Sequence, residues 1–195
     1  SRDLHDHLGA QISYFISTAD FIAYGLDKNP SEQSKKLLQE LSQGGRTTMQ
    51  ELRETIWALN KPAYTAEEFT ERMRTYLSVH FADEALVWKL SLSGKTETQL
   101  QPALLLNIFR IAQEALSNAR KHAQATHLTV EIDVSETTFL MRITDNGIGF
   151  DQKSSPDGHY GLDNMQLRAT ESEGELTIHS SKGSGTTLTF KAPLL

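Results

Sequence analysis

The hydrophobic period of this 195-residue chain changes once, at Asn60-Lys61-Pro62, and that change governs what the chain can fold into. Ahead of it, Leu4, Leu8, Ile12, Phe15, Ala19, Ile22 and Leu26 recur at spacings of three and four, one apolar stripe along a helix. Asn29-Pro30-Ser31 breaks the stripe, and Ser31 suits the cap of a second helix carrying Leu37, Leu41, Thr48, Leu52, Ile56 and Leu59. Gly44-Gly45 is a weak point within it, at about 1 kcal/mol per Gly relative to Ala. A two-helix hairpin of this length buries too little to stand alone, so two copies are expected to pair as a four-helix bundle. The first helix starts within a turn of His5, where backbone donors have no partners, and is expected to continue upstream of Ser1.

Beyond residue 60 the pattern mixes periods. Thr65 with Glu68 fits a capping box ahead of a helix bearing Phe69, Met73, Leu77 and Phe81. Trp88, Leu90 and Leu92 alternate as on a strand, and Gly94-Lys95 turns. Pro102 opens a strongly apolar helix to about His122. Further strands are predicted at Leu128–Val134, Phe139–Ile143, Leu176/Ile178 and Leu188/Phe190, with a short helix over 161–172. The fold class is therefore α+β: a helical hairpin over 1–60, a hinge at 61–64, and an α/β sandwich over 65–195 with helices on one face of a mixed sheet.

Composition removes several functions. The absence of Cys excludes disulfides, zinc–thiolate sites and thiol nucleophiles. A formal net charge of −6 speaks against a nucleic-acid partner, which needs a basic face. No apolar run has the roughly 18–20 residues of a membrane span. Any membrane attachment is thus expected to lie in upstream segments.

Four motifs carry the chemistry of the second half. In "QEALSNARKHA" (113–123), Glu114 and Asn118 lie four apart on one helix face, near Asn107, Arg110 and Lys121. "DNGIGF" (145–150) sets the Asp145 carboxylate beside Gly147 and Gly149, where backbone can approach a ligand closely. That carboxylate suits an exocyclic amine. "GHYGLDNM" (158–165) places Gly158 and Gly161 ahead of a helix whose free amides attract phosphate. "GSGTT" (183–187) adds a third glycine turn before a strand. Singly, each also reads as a solvated face or an ordinary turn.

In this order the set resembles the ATP-binding domain shared by histidine kinases, gyrase-type and Hsp90-type ATPases, over roughly 65–193. The resemblance implies ATP between a helical layer and a lid near 151–160. Asn118 would be the Mg²⁺ ligand with Glu114 ahead of it, and Lys121 and His122 would face phosphate. Asp145 would read adenine in a pocket shaped by Gly147 and Gly149. Gly158 and Gly161 would serve the lid, and Gly183, Gly185 and Thr186 the third glycine box.

At the other end, "RDLHDHLG" (2–9) resembles the phosphoacceptor motif of NarX/DesK-like histidine kinases, and "ELRETIWAL" (51–59) the end of their second helix. His5 would take the phosphoryl group and Asp6 help remove its proton. His5 and His7 stand about 200° apart around a helix, which disfavours one shared metal. Neutral imidazole, with a pKa of roughly 6.5, is nucleophilic near neutral pH. His7 is assigned a flanking role. The resemblance further implies a homodimer, a response-regulator receiver domain as partner, and a cytoplasmic place for the chain. The family's usual Gln four residues after the acid is Ala10 here, so kinase activity with weak phosphatase activity is expected. The alternatives are a gyrase/Hsp90-type ATPase and a non-catalytic nucleotide-binding dimerisation module.

Overall fold

The computed structural model describes residues 14, 18, 32–82, 86–151 and 160–194. It divides into two units, Ser1–Trp57 and Ala58–Leu195. In the first, Tyr14 and Thr18 are helical, with Thr18 Oγ1 donating to Tyr14 O at 2.8 Å. The rest of the expected first helix and the Ser31 cap lie outside the described residues. Helix α1 (Glu32–Leu59) runs unbroken through Gly44-Gly45, where Thr48 Oγ1 donates to Gly44 O at 3.0 Å. Ile56 and Leu59, placed on the buried stripe by their spacing, are 66% and 68% exposed, although Ala58 between them is buried.

The second unit begins with strand β1 (Tyr64–Thr65) and helix α2 (Ala66–His80). The predicted capping box is complete: Glu68 N donates to Thr65 Oγ1 at 3.1 Å and Thr65 N to Glu68 Oε2 at 3.0 Å. The Lys61 ammonium, 2.5 Å from Glu68, and then the Thr65 amide hold the Glu68 carboxyl below its ordinary range. Phe69, Met73 and Leu77, at four-residue spacing, are fully buried. The Phe69 ring meets Phe109 and Phe139 edge-on, with centroids 6.4 and 5.8 Å away, the geometry aromatic quadrupoles favour.

Strand β2 (Val87–Gly94) and the short β3 (Gln99–Leu100) lead to helix α3 (Pro102–Asn118), which Pro102 starts without a wasted amide. It continues as a π-helical turn, Ala119–Ala123. Then come β4 (His127–Val134), β5 (Thr138–Asp145), helix α4 (Tyr160–Glu171), β6 (Glu175–Ser180) and β7 (Thr186–Pro193). β1 and β3 pair as a two-stranded antiparallel ladder, too short for any sequence period to reveal.

The other five strands form one sheet in the order β2-β4-β5-β7-β6, with β2 parallel to β4 and every other pair antiparallel. Register explains the alternation. Val130 faces Ile143 and Ile132 faces Met141, while Met141 faces Phe190 and Ile143 faces Leu188, all buried on the side that α2, α3 and α4 cover. The opposite face carries polar side chains, including the exposed pair Arg142–Glu131 at 3.5 Å. This is the mixed sheet with helices on one face that the period-2 runs imply.

His80 closes α2, its ring 4.2 Å from that of Tyr76. Partial burial, and then the charge of Arg120, push the imidazole below its ordinary 6.5. The folded chain thus favours neutral His80, and at pH below about 6.5 the unfolded chain binds the extra proton. The contribution is complete above that pH and is lost as pH falls. His80→Gln should therefore lessen the drop in melting temperature between about pH 7.5 and 5.5, measured against the native chain.

Candidate functional site

The helical repeat puts Glu114 and Asn118 one turn apart on α3, and both line a cavity of about 550 Å³ within the second unit. That volume lies in the range of small-molecule sites. After Asn118 the α-helix widens into the π turn and ends at Gln124 in the left-handed conformation, φ 53°. Ala119 and Ala123, both buried, line the cavity with Ala115, three methyl-sized side chains that leave room for a ligand. His122 reaches the lining, whereas Lys121 is exposed and does not belong to it.

The second wall is the loop after β5. Asp145, 7% exposed, lines the cavity; its Oδ1 accepts from Gly147 N at 2.8 Å, and its Oδ2 takes no bond from a described residue. Asn146 fastens the loop behind: Oδ1 accepts from Thr126 N at 3.0 Å and His127 N at 2.9 Å, and Nδ2 donates to Thr126 Oγ1 at 3.0 Å. Ile148 N donates to Ala123 O at 2.8 Å. Gly147 crosses so near that a Cβ there would overlap that same carbonyl.

The third wall is the turn between β6 and β7. Phe150 N donates to Ser180 Oγ at 2.9 Å, and Ser180 Oγ lies 3.0 Å from both Gly185 O and Thr186 Oγ1. Gly183 N donates to Ile148 O at 2.6 Å. Gly149 and Gly185 have φ of +58° and +72°, and a Cβ on them would overlap Ser181 O and Asp145 O respectively. Thr186 lines the cavity, while Gly183 and Gly185 shape the turn behind it. Gly161, in the first turn of α4, also lines the cavity, and the Glu114 carboxylate occupies the space its missing Cβ leaves. There it meets the positive end of the helix dipole.

Glu114, Asn118, His122, Asp145, Gly149, Gly161 and Thr186 thus share one cavity, with Gly147 packed behind it. Gly158, His5, Asp6 and Ala10 lie outside the described residues. Asn107 and Arg110 are not among the lining residues: Asn107 Nδ2 donates to Ser172 Oγ at 3.1 Å, and Arg110 Nε is buried with no hydrogen-bond partner among the described residues. Sequence reasoning missed the apolar walls Ile143, Ile148, Met165 and Leu188, the hub Ser180, and the charged rim residues Asp151 and Lys182. Ser180 and Lys182 adjoin the third glycine motif, which was their signal. An acceptor-only carboxylate between apolar walls fits a flat heterocycle bearing an amine. The oxygens of Asn118 and Glu114 are of the kind a hard divalent cation takes.

Comparison with known proteins agrees on both halves. The profile of the family described as histidine kinase-, DNA gyrase B- and HSP90-like ATPase matches residues 105–195, and that described as histidine kinase matches residues 1–64. The chain belongs to the histidine kinases. It is 27% identical over its full length to the signal transduction histidine-protein kinase/phosphatase DegS of Brevibacillus brevis, covering 50% of that protein. Against DegS of Bacillus subtilis it is 36% identical over 143 residues, 71% of this chain and 34% of that one. The chain thus spans half or less of the length of these relatives. The histidine kinase AdeS of Acinetobacter baumannii shares the fold, with a TM-score of 0.60, 18% identity and 97% of each chain covered. The second half of the chain is therefore an ATP-binding domain. None of its described helices is long and apolar enough to cross a membrane.

Gly147→Ala forces the loop away from the Ala123 carbonyl. It is expected to destabilise the second unit by about 2 kcal/mol, the usual scale of overpacking, read from denaturant unfolding. Faster hydrogen exchange at the Ile148 amide should accompany it.

Proposed function

We propose that the chain is the catalytic portion of a two-component sensor kinase, which transfers the γ-phosphoryl group of ATP to His5 and then to an aspartate of a response-regulator receiver domain. The observation that carries this reading is the shared cavity. Asp145 stands ready to accept from the adenine amine through Oδ2, and Asn118 and Glu114 face the same space. Residues 1–60 would dimerise and carry the acceptor, 61–64 act as hinge, and 65–195 bind ATP in the cytoplasm. The uncovered Ile56 and Leu59 support a second copy against α1.

In this mechanism an imidazole nitrogen of His5 attacks the γ-phosphorus, the bond to the β,γ-bridging oxygen breaks, and ADP leaves. The neutral imidazole attacks through its unprotonated nitrogen, and Asp6 takes the proton from the other ring nitrogen as the N–P bond forms, leaving a neutral phosphoimidazole. Asn118 would hold Mg²⁺ with Glu114 beside it, and that ion when bound neutralises charge on the phosphate oxygens. Gly158 and Gly161 would serve the lid, His122 and Lys121 would face the phosphates, and Gly183, Gly185 and Thr186 would form the third glycine box beside Asp145.

Incubation with γ-labelled ATP and Mg²⁺ tests this. Acid-labile label is expected on the native chain and on His7→Gln, none on His5→Gln, and ATP affinity at least about tenfold weaker in Asp145→Asn. Nucleotide binding with ATP hydrolysis but no labelled protein would instead establish the ATPase reading, and binding alone the scaffold reading. Because Ala10 stands in the usual Gln position, Ala10→Gln should speed dephosphorylation of the regulator, and vigorous dephosphorylation by the native chain would contradict that.

A further inference from the structure

Lys182 is the one lysine or arginine among the described residues that line the cavity, and it makes no hydrogen bond or ion pair with any of them. Its place is fixed by its neighbours. The turn that carries it is fastened to the Asp145 loop by Gly183 N to Ile148 O at 2.6 Å and by Phe150 N to Ser180 Oγ at 2.9 Å. Gly185 packs directly on the Asp145 carbonyl. An exposed, flexible ammonium is therefore mounted on a turn that is fastened to the Asp145 loop, whereas Glu114 and Asn118 project from α3.

We propose that Lys182 contacts the nucleobase, donating from its ammonium to a ring nitrogen of adenine next to the amine that Asp145 accepts from. The inference rests on the ATP reading of the cavity and extends it. A carboxylate only accepts and an ammonium only donates. The adenine amine is flanked by two acceptors, N1 and N7, so a donor placed beside Asp145 completes a two-point reading of that edge. Lys182 then contributes to base recognition and not to phosphate binding.

Affinities of ADP and adenosine, measured by calorimetry on the full chain, test this. Lys182→Met keeps the alkyl stem and changes an exposed position, so the melting temperature should not move. It is expected to weaken ADP and adenosine by the same factor, about threefold to tenfold, and Lys182→Arg to recover most of that loss. Either 1-deazaadenosine or 7-deazaadenosine should bind the native chain more weakly than adenosine by a similar factor, yet bind Lys182→Met no worse than adenosine does. Weakened ADP with unchanged adenosine would make Lys182 a phosphate contact and overturn the inference, as would no change in either. Failure of the native chain to bind ADP at all would instead remove the nucleotide reading itself.

Discussion

The cavity depends on one hydrogen bond, from Ile148 N to Ala123 O. A helix leaves its last carbonyls without internal partners, and buried ones must find partners elsewhere. Here the orphan at the end of the π turn is satisfied by the loop that carries Asp145, so the wall bearing Asn118 and the wall bearing the carboxylate are joined by the chain's need to satisfy its backbone. Gly147 follows from that bond, since any side chain there would strike the carbonyl. Gly149 and Gly185 extend the same logic by one layer, bringing the β6–β7 turn against the loop.

The π turn has a second effect. Five residues in one wider turn change which side chains face inward after Asn118, compared with a continued α-helix. His122 reaches the lining and Lys121 does not. Reading the helix at 3.6 residues per turn as far as His122 could not distinguish them. Small residues at Ala119 and Ala123 made the widening sterically cheap, but alanine is equally at home in an ordinary helix.

What was legible in the sequence follows the range of the forces involved. The capping box at Thr65 and Glu68, the start at Pro102 and the alternating strands are local, and each stands where the pattern put it. The mixed sheet followed because its apolar residues alternate along every strand and only one face needed covering. The exposure of Ile56 and Leu59 was not legible, because periodicity reports which face is apolar and not what covers it. Within the cavity the glycines announced themselves through spacing. Ser180 and Lys182 were marked only by adjoining the third glycine motif, since their roles come from a turn meeting a loop about thirty residues away in sequence.

Charge decides how such a cavity could take a polyanion. Among the described lining residues, Glu114, Asp145 and Asp151 place three carboxylates against the single ammonium of Lys182. The Asp145 carboxylate accepts from the Gly147 amide, and that of Glu114 sits against the first turn of α4. Such a lining would repel free triphosphate and tolerate it only with its charge already reduced, because at a few ångströms even partly screened like charges oppose each other by about a kilocalorie per mole or more. On the proposed function, such a site would select a metal–nucleotide complex over the bare anion: the oxygen donors on α3 would serve the cation, and the carboxylate on β5 would be left for the uncharged base.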